Sequence, residues 1–152
     1  MRKPLIVLGP ASVADAAALA AVHRECFEDI WDGPAFTRLL SEPSALGLAA
    51  RSNGVVMGFA LCRIAADECE LLSCGIAPRF RRQGFARRLL DQAIDEARRR
   101  GARSMHLEVA EDNVDARALY ARLGFDPIGR RPRYYRRLQH QPVDALTMRL
   151  DL

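Results

Sequence analysis

Arg81-Arg82-Gln83-Gly84-Phe85-Ala86-Arg87 reads as a loop that turns straight into a helix. It follows a strand-like run, Glu70 to Ala77, which Pro78 stops because proline has no N–H to offer a ladder. Gly84 and Ala86 lack bulk, so a ligand can approach the main chain where the helix begins. The first N–H groups of a helix have no internal partners and carry the positive end of its dipole. Together they form an anion site, and Arg81, Arg82 and Arg87 add charge around it. From Phe85 the residues Leu89, Leu90, Ala93, Ile94 and Ala97 recur at helical spacing, with Asp91, Asp95 and Arg99 on other faces. Gly101 ends the pattern. Taken alone, Arg-x-x-Gly-x-Ala fits a diphosphate cradle, and equally a helix start whose arginines are solvated.

Two nucleotide motifs are excluded. A Walker loop needs Lys-Ser or Lys-Thr after its last glycine, and Lys3 is the only lysine in the chain. A dinucleotide fingerprint needs three spaced glycines and a later acid for the ribose, and the glycines here are not so spaced.

Working outward, Leu5 to Leu8 forms a first strand closed by Gly9-Pro10, and Ser12 caps a helix with Val13, Ala17, Ala20, Ala21 and Cys26 on its apolar face. A break at Asp32-Gly33-Pro34 leads to a short helix over 35–40. Before it, Glu25, Glu28, Asp29 and Asp32 gather around the single tryptophan, Trp31. Strands over 46–51 and 55–64 are joined by Asn53-Gly54, the strongest short hairpin signal, and Gly58 marks a bulge or a close approach. These strands and the one before the loop make an antiparallel meander. The strand over 103–109 lies beyond the long helix, so strand, helix, strand is a parallel crossover. Asn113 caps a helix over 114–123 that Gly124 ends. Strands over 125–129 and 146–150 finish the chain, separated by an arginine-rich connection containing Tyr134-Tyr135.

The 152 residues, 49% of them hydrophobic, suit one domain, 1–152, with one core. No run is long enough to span a membrane, and Met1-Arg2-Lys3-Pro4 precedes no secretory apolar core, so the expected location is cytoplasmic. Cys26, Cys62, Cys69 and Cys74 show neither Cys-x-x-Cys pairing nor histidines at ligand spacing, so no metal is expected and the thiols are expected to be reduced. The net charge of +4 favours a polyphosphate cofactor or a ribosomal setting and equally fits an ordinary soluble protein. No nucleic-acid reading motif accompanies it.

The run Cys74-Gly75-Ile76-Ala77-Pro78, the loop 81–87, then Leu107-Glu108-Val109, Asn113, Ala118-Leu119-Tyr120 and Leu123-Gly124-Phe125 resembles the GNAT acetyltransferases. Within them it resembles the bacterial ribosomal-protein-alanine N-acetyltransferases of the RimI type. The resemblance implies an α+β fold, with a mostly antiparallel sheet and one splayed parallel strand pair flanked by helices. It implies that acetyl-CoA lies in that splay, touching Cys74, Gly75 and Ile76, with its diphosphate held by Arg82, Gln83, Gly84, Phe85, Ala86 and Arg87, and that Asn113 touches it too. The Ile76 N–H is a candidate donor to the thioester oxygen. Glu108 matches the general base and Tyr120 the general acid, while Trp31, Tyr134 and Tyr135 match the acceptor side. On residue type alone, Glu108 also fits a salt-bridged strand glutamate, Tyr120 a core aromatic, Asn113 a plain cap and Trp31 a core-completing aromatic.

The implied reaction is direct acetyl transfer in a ternary complex, by a monomer or weak dimer, to a protein N-terminus, with a lysine or small amine as the alternative acceptor and a non-catalytic CoA-binding module as the other. Reference pKa values of ~8 for a terminal amine and ~10.4 for lysine make deprotonating the former easier by about 3 kcal/mol at neutral pH. A phenol near ~10 is a weaker acid than a thiol near ~8.5, so full proton transfer from Tyr120 to a thiolate is uphill by about 2 kcal/mol. Hydrogen bonding to the thiolate is its main expected role.

Overall fold

A computed structural model describes residues 3–152; Met1 and Arg2, part of the N-terminal stretch read above, lie outside the described residues. Strand β1 (Ile6–Pro10) leads through a 3-10 turn (Val13–Asp15) into α1 (Ala16–Cys26). The Asp15 carboxylate accepts the Ser12 N–H at 2.9 Å, so the cap expected from Ser12 is made by the acid three residues later reaching back. Helix α2 (Gly33–Leu40) starts where the Asp32 carboxylate accepts the Ala35 N–H at 2.9 Å.

Strands β2 (Ala45–Ser52) and β3 (Val55–Ala65) form the expected hairpin. Asn53 and Gly54 take φ of 49° and 85°, the left-handed pair that matches the twist of two joined strands. β4 (Glu68–Ile76) completes the antiparallel meander. Gly58 is required by closeness: a Cβ there would fall 2.4 Å from Ile76 Cδ1 and 3.1 Å from the Gly75 carbonyl.

After a 3-10 turn (Pro78–Phe80), α3 (Phe85–Arg99) carries the chain to β5 (Ser104–Ala110), parallel to β4. Helix α4 (Val114–Arg122) follows, then β6 (Asp126–Arg137) and β7 (His140–Asp151). One seven-stranded sheet results, in the order β1-β2-β3-β4-β5-β7-β6. Among the described residues only β4 and β5 run parallel. The arginine-rich connection expected between the last strands is itself strand: 130–137 belong to β6, and a long hairpin projects past the sheet.

Helices cover both faces. On one, Leu89, Leu90 and Ala93 of α3 pack on Leu46, Ala60, Leu71, Leu107 and Met148, with Leu119 and Tyr120 of α4 and Leu123 just after it along the margin. On the other, Leu19 and Val22 of α1 and Phe36 of α2 close over Phe59 and Leu61. From Phe59 to Cys62 the faces alternate along β3, as the two-residue period of a strand demands; Met57, left over where the β2–β3 register shifts, breaks the alternation before it. No helix among the described residues is long and apolar enough to cross a membrane.

Candidate active site

The opening in the sheet is set by one extra residue. Leu61 pairs with Ser73 and Cys62 with Leu71, so Leu72 is an unpaired bulge in β4. A bulge bends its strand and sharpens the local twist. Parallel pairing with β5 ends at the same place, with Leu71 opposite Leu107, and beyond the bulge 73–76 pair with β3 alone.

The ladder decides which amides face the gap. Ala77 donates its N–H to the Met57 carbonyl at 2.8 Å, and hydrogen-bonding residues alternate along an antiparallel pair. Gly75 therefore faces β3, while Cys74 and Ile76 turn their backbone groups into the opening. Of the three residues expected to meet a ligand there, Cys74 and Ile76 present backbone groups. Gly75 contributes by being small, since a Cβ on it would sit 3.0 Å from Cys26 Sγ.

The loop after β4 is tied to its end. Arg81 Nε donates to the Ile76 carbonyl at 2.9 Å, and Cys26 Sγ reaches the same oxygen at 3.4 Å. Arg82 and Gly84 both take positive φ, 61° and 82°, which curls the loop so that α3 begins with its N–H groups facing outward. A Cβ on Gly84 would meet nothing within 4 Å, so the space before the helix start is open. That space is a cavity of about 280 Å³, closed on the far side by Asp115, Leu119 and Arg122 of α4. The sequence reading missed those residues, because they come from a helix over thirty positions away. Arg82 has no acidic partner among the described residues, and Arg87 makes only a 3.6 Å contact with Asp91 one turn along. Phe85 is buried and anchors the helix. Ala86 is half-buried and Gln83 exposed. The Asn113 side chain accepts the Ala116 N–H at 3.3 Å, so its oxygen is spent on the cap and its amide nitrogen remains for other contacts.

Glu108 and Tyr120 lie on opposite faces of the sheet, with the split between them. Leu107 and Val109 point into the α3 core, so Glu108 points to the other face. There it meets the β6–β7 hairpin, whose Arg131 crosses β7 to place Nε 2.8 Å from Glu108 Oε1. Tyr134 and Tyr135 follow on the same strand, their rings 5.1 Å apart at 90°. The Glu108 carboxylate holds the Tyr134 phenol above its ordinary range, and burial, then Glu108, push Tyr135 up to about 12. Structure thus gathers Glu108, Tyr134 and Tyr135, which sequence reading had chosen separately, and adds Arg131, which it had not.

Tyr120 stands edge-on to Phe125 at 5.8 Å, with the α3-side core. Burial, then the neighbouring Cys74 thiol, raise its pKa well above that of an ordinary phenol. It is a poorer acid than in water, which strengthens its reading as a hydrogen-bond donor. Trp31 stacks on His23 at 5.1 Å and packs beside Phe36, so it is partly a core residue. The turn around it meets the hairpin tip, where the Leu138 N–H donates to Glu28 Oε2 at 3.2 Å.

Residues 16–125 match the acetyltransferase (GNAT) family. The chain belongs to the GNAT acetyltransferases.

As a GNAT it is 37% identical over 152 residues to the N-alpha-acetyltransferase RimI of Mycobacterium tuberculosis (strain ATCC 25618 / H37Rv), across 96% of this chain and 92% of that one. It is 36% identical over 107 residues to the ribosomal protein bS18-alanine N-acetyltransferase of Escherichia coli strain K12, across 70% and 72% of the two chains. Its fold matches the crystal structure of the ribosomal-protein-S18-alanine N-acetyltransferase from Escherichia coli with a TM-score of 0.91 at 28% identity, covering 97% and 94%. The Arabidopsis thaliana NAA60 in complex with a bisubstrate analogue shares the fold at a TM-score of 0.84 and 20% identity, covering 97% and 98%. The fold is therefore that of the GNAT family, and the chain is an acetyltransferase.

Proposed function

We propose that this acetyltransferase moves an acetyl group from acetyl-CoA to the α-amine of a protein N-terminus, with a ribosomal protein as the acceptor. The observation that carries the reading is the Glu108 carboxylate at the open end of the β4–β5 split, ringed by Tyr134 and Tyr135. The relatives named above, which acetylate protein N-termini by name, support it.

The cavity before α3 fits a diphosphate. It joins helix N–H groups, an open glycine and two arginines, Arg82 and Arg87. The outward amides of Cys74 and Ile76 fit an amide-rich arm laid along β4. The coenzyme supplies an acyl thioester; the chain supplies the rest. Ile76 N–H stabilises negative charge on the carbonyl oxygen. Glu108 takes the proton of the incoming ammonium, directly or through water, and the lower pKa of a terminal amine keeps that step within a carboxylate's reach. Tyr120 donates a hydrogen bond to the departing sulfur. Trp31, Tyr134 and Tyr135 form the acceptor wall, and Asn113 contributes its amide nitrogen on the donor side.

The test is to incubate the protein with acetyl-CoA and a ribosomal-protein extract and to identify newly acetylated termini by mass spectrometry. A peptide blocked at its α-amine but carrying lysine should stay unmodified. Glu108→Gln and Tyr120→Phe should each reduce turnover by about a hundredfold, the usual range for a proton-transfer group. Turnover within a few-fold of the parent would sink their roles.

A further inference from the structure

We propose that the Arg131 guanidinium is a built-in stand-in for the acceptor's ammonium group, holding Glu108 in the free enzyme and giving way when the amine arrives. The inference rests on the reading of Glu108 as the base.

Three arginines of β6 pair with carboxylates among the described residues, and they are not equivalent. Arg130 is shared between Glu111 at 2.7 Å and Asp144 at 3.1 Å. Arg137 holds Asp112 at 2.9 Å. These three acids lie outside the split, so their pairs fix the hairpin to the β5–α4 turn and to β7. Arg131 alone pairs with the carboxylate that the reaction needs, at 2.8 Å. Its backbone is the last regularly paired position of β6 before the ladder loses register, opposite Ala145, so the stem is anchored. Its head is not: the Arg131 side chain is 61% exposed, against 22% for Glu108.

A cation that never loses its charge sits where a cation that must lose its proton has to bind. An ammonium group approaching Glu108 Oε1 needs the position that Arg131 Nε occupies, so acceptor binding is an exchange of one cation for another. The displaced guanidinium has a nearby seat, since Arg131 already lies 5.5 Å from the Tyr134 ring centroid. No covalent step is added, and the charge on Glu108 is matched before and after the exchange. Displacement then raises the acceptor KM and leaves the chemical step alone. If Arg131 instead aimed the carboxylate at the amine, its loss would lower kcat.

Steady-state kinetics of the full chain with a ribosomal N-terminal peptide separate these. Exposed ion pairs are weak, so Arg131→Ala is expected to lower the peptide KM about threefold at unchanged kcat. Methylguanidinium added to Arg131→Ala is expected to raise that KM again, competitively with the peptide. A lowered kcat at unchanged KM, or no effect of methylguanidinium, overturns the proposal. Glu108→Gln keeps this failure distinct from failure of the underlying reading. If Glu108→Gln turns over like the parent, Glu108 is not the base and both ideas fall. If it is inactive, peptide binding by calorimetry in that background is expected to be insensitive to Arg131→Ala, and a persisting gain in affinity overturns the exchange alone.

Discussion

Arg81 Nε donates to the Ile76 carbonyl across 2.9 Å, so the first arginine of the phosphate-loop candidate is turned back onto the end of β4. That bond fixes the angle at which the chain leaves the strand and enters the curl ahead of α3.

Arg81→Ala should therefore weaken CoA binding, because the residue lines the cavity and its side chain also ties the loop to β4. The bond is charge-assisted but solvent-reached, so about 1 kcal/mol, or about a fivefold rise in Kd, is expected. Calorimetric titration with CoA checks it. Unchanged affinity would mean that the loop holds its shape without this tie.

Gly84 and Gly101 bracket α3, both at positive φ, 82° and 91°, and a Cβ at either would meet no atom within 4 Å. An alanine at each should cost about 1 kcal/mol of stability from the left-handed backbone alone, or a fall in Tm of about 3 °C. Only at Gly84 does the new methyl enter the cavity, so only Gly84→Ala should also lose CoA affinity. Equal losses of affinity in both variants would remove the cavity from the argument.

His23 is buried, and its Nδ1 accepts the Trp31 N–H at 3.3 Å. Burial lowers its pKa, against an opposing pull from Asp29. The unfolded chain takes up the proton first, near the ordinary ~6.5, while the folded imidazole stays neutral. Stability contributed by the neutral ring is thus complete above that pH and is lost as the pH falls below it. The urea midpoint should decline from pH 6.5 to 5, and His23→Gln should flatten the decline. An equally steep decline in the variant would assign it to other groups.

At the alkaline end the sign reverses. Burial pushes the Cys74 thiol from 9.0 up to about 12 and raises Tyr120 above its ordinary 10.0. Here the unfolded chain gives up its protons first, so this stability is complete below about pH 9 and is lost as the pH rises through the shifted values. Thermal unfolding midpoints should begin to fall above pH 9 in the parent. In Cys74→Val the fall between pH 9 and 10 should become shallower, the rest coming from Cys26, which burial raises, and Cys62, which its bond with Cys69 and burial raise, and in Tyr120→Phe the part above pH 10 should shrink.

Local patterns were enough for most elements. Asn53-Gly54, the apolar spacing from Phe85 to Ala97, the Asn113 cap and the Gly101 and Gly124 stops are chemical features of a few neighbouring residues, and each element formed where they stood. β6 was not legible beyond Gly129, for a physical reason. Patterning records burial, and residues 126–134 are exposed on both faces of an edge strand, so no alternation is written there.

By itself the sequence determined the family-specific run of motifs, the helix capped by Gly84 and the choice of Glu108 and Tyr120 as the residues proposed to carry the chemistry. Only the tertiary structure decided that Leu72 is extruded as a bulge, that Cys74 and Ile76 turn their amides into the gap, and that Arg131 sits on Glu108. Each of these depends on the register between strands, β3 with β4 for the first two and β5 with β7 and β6 for the third. Register is set by how whole faces bury against helices, a sum over many contacts that no short stretch of residues encodes.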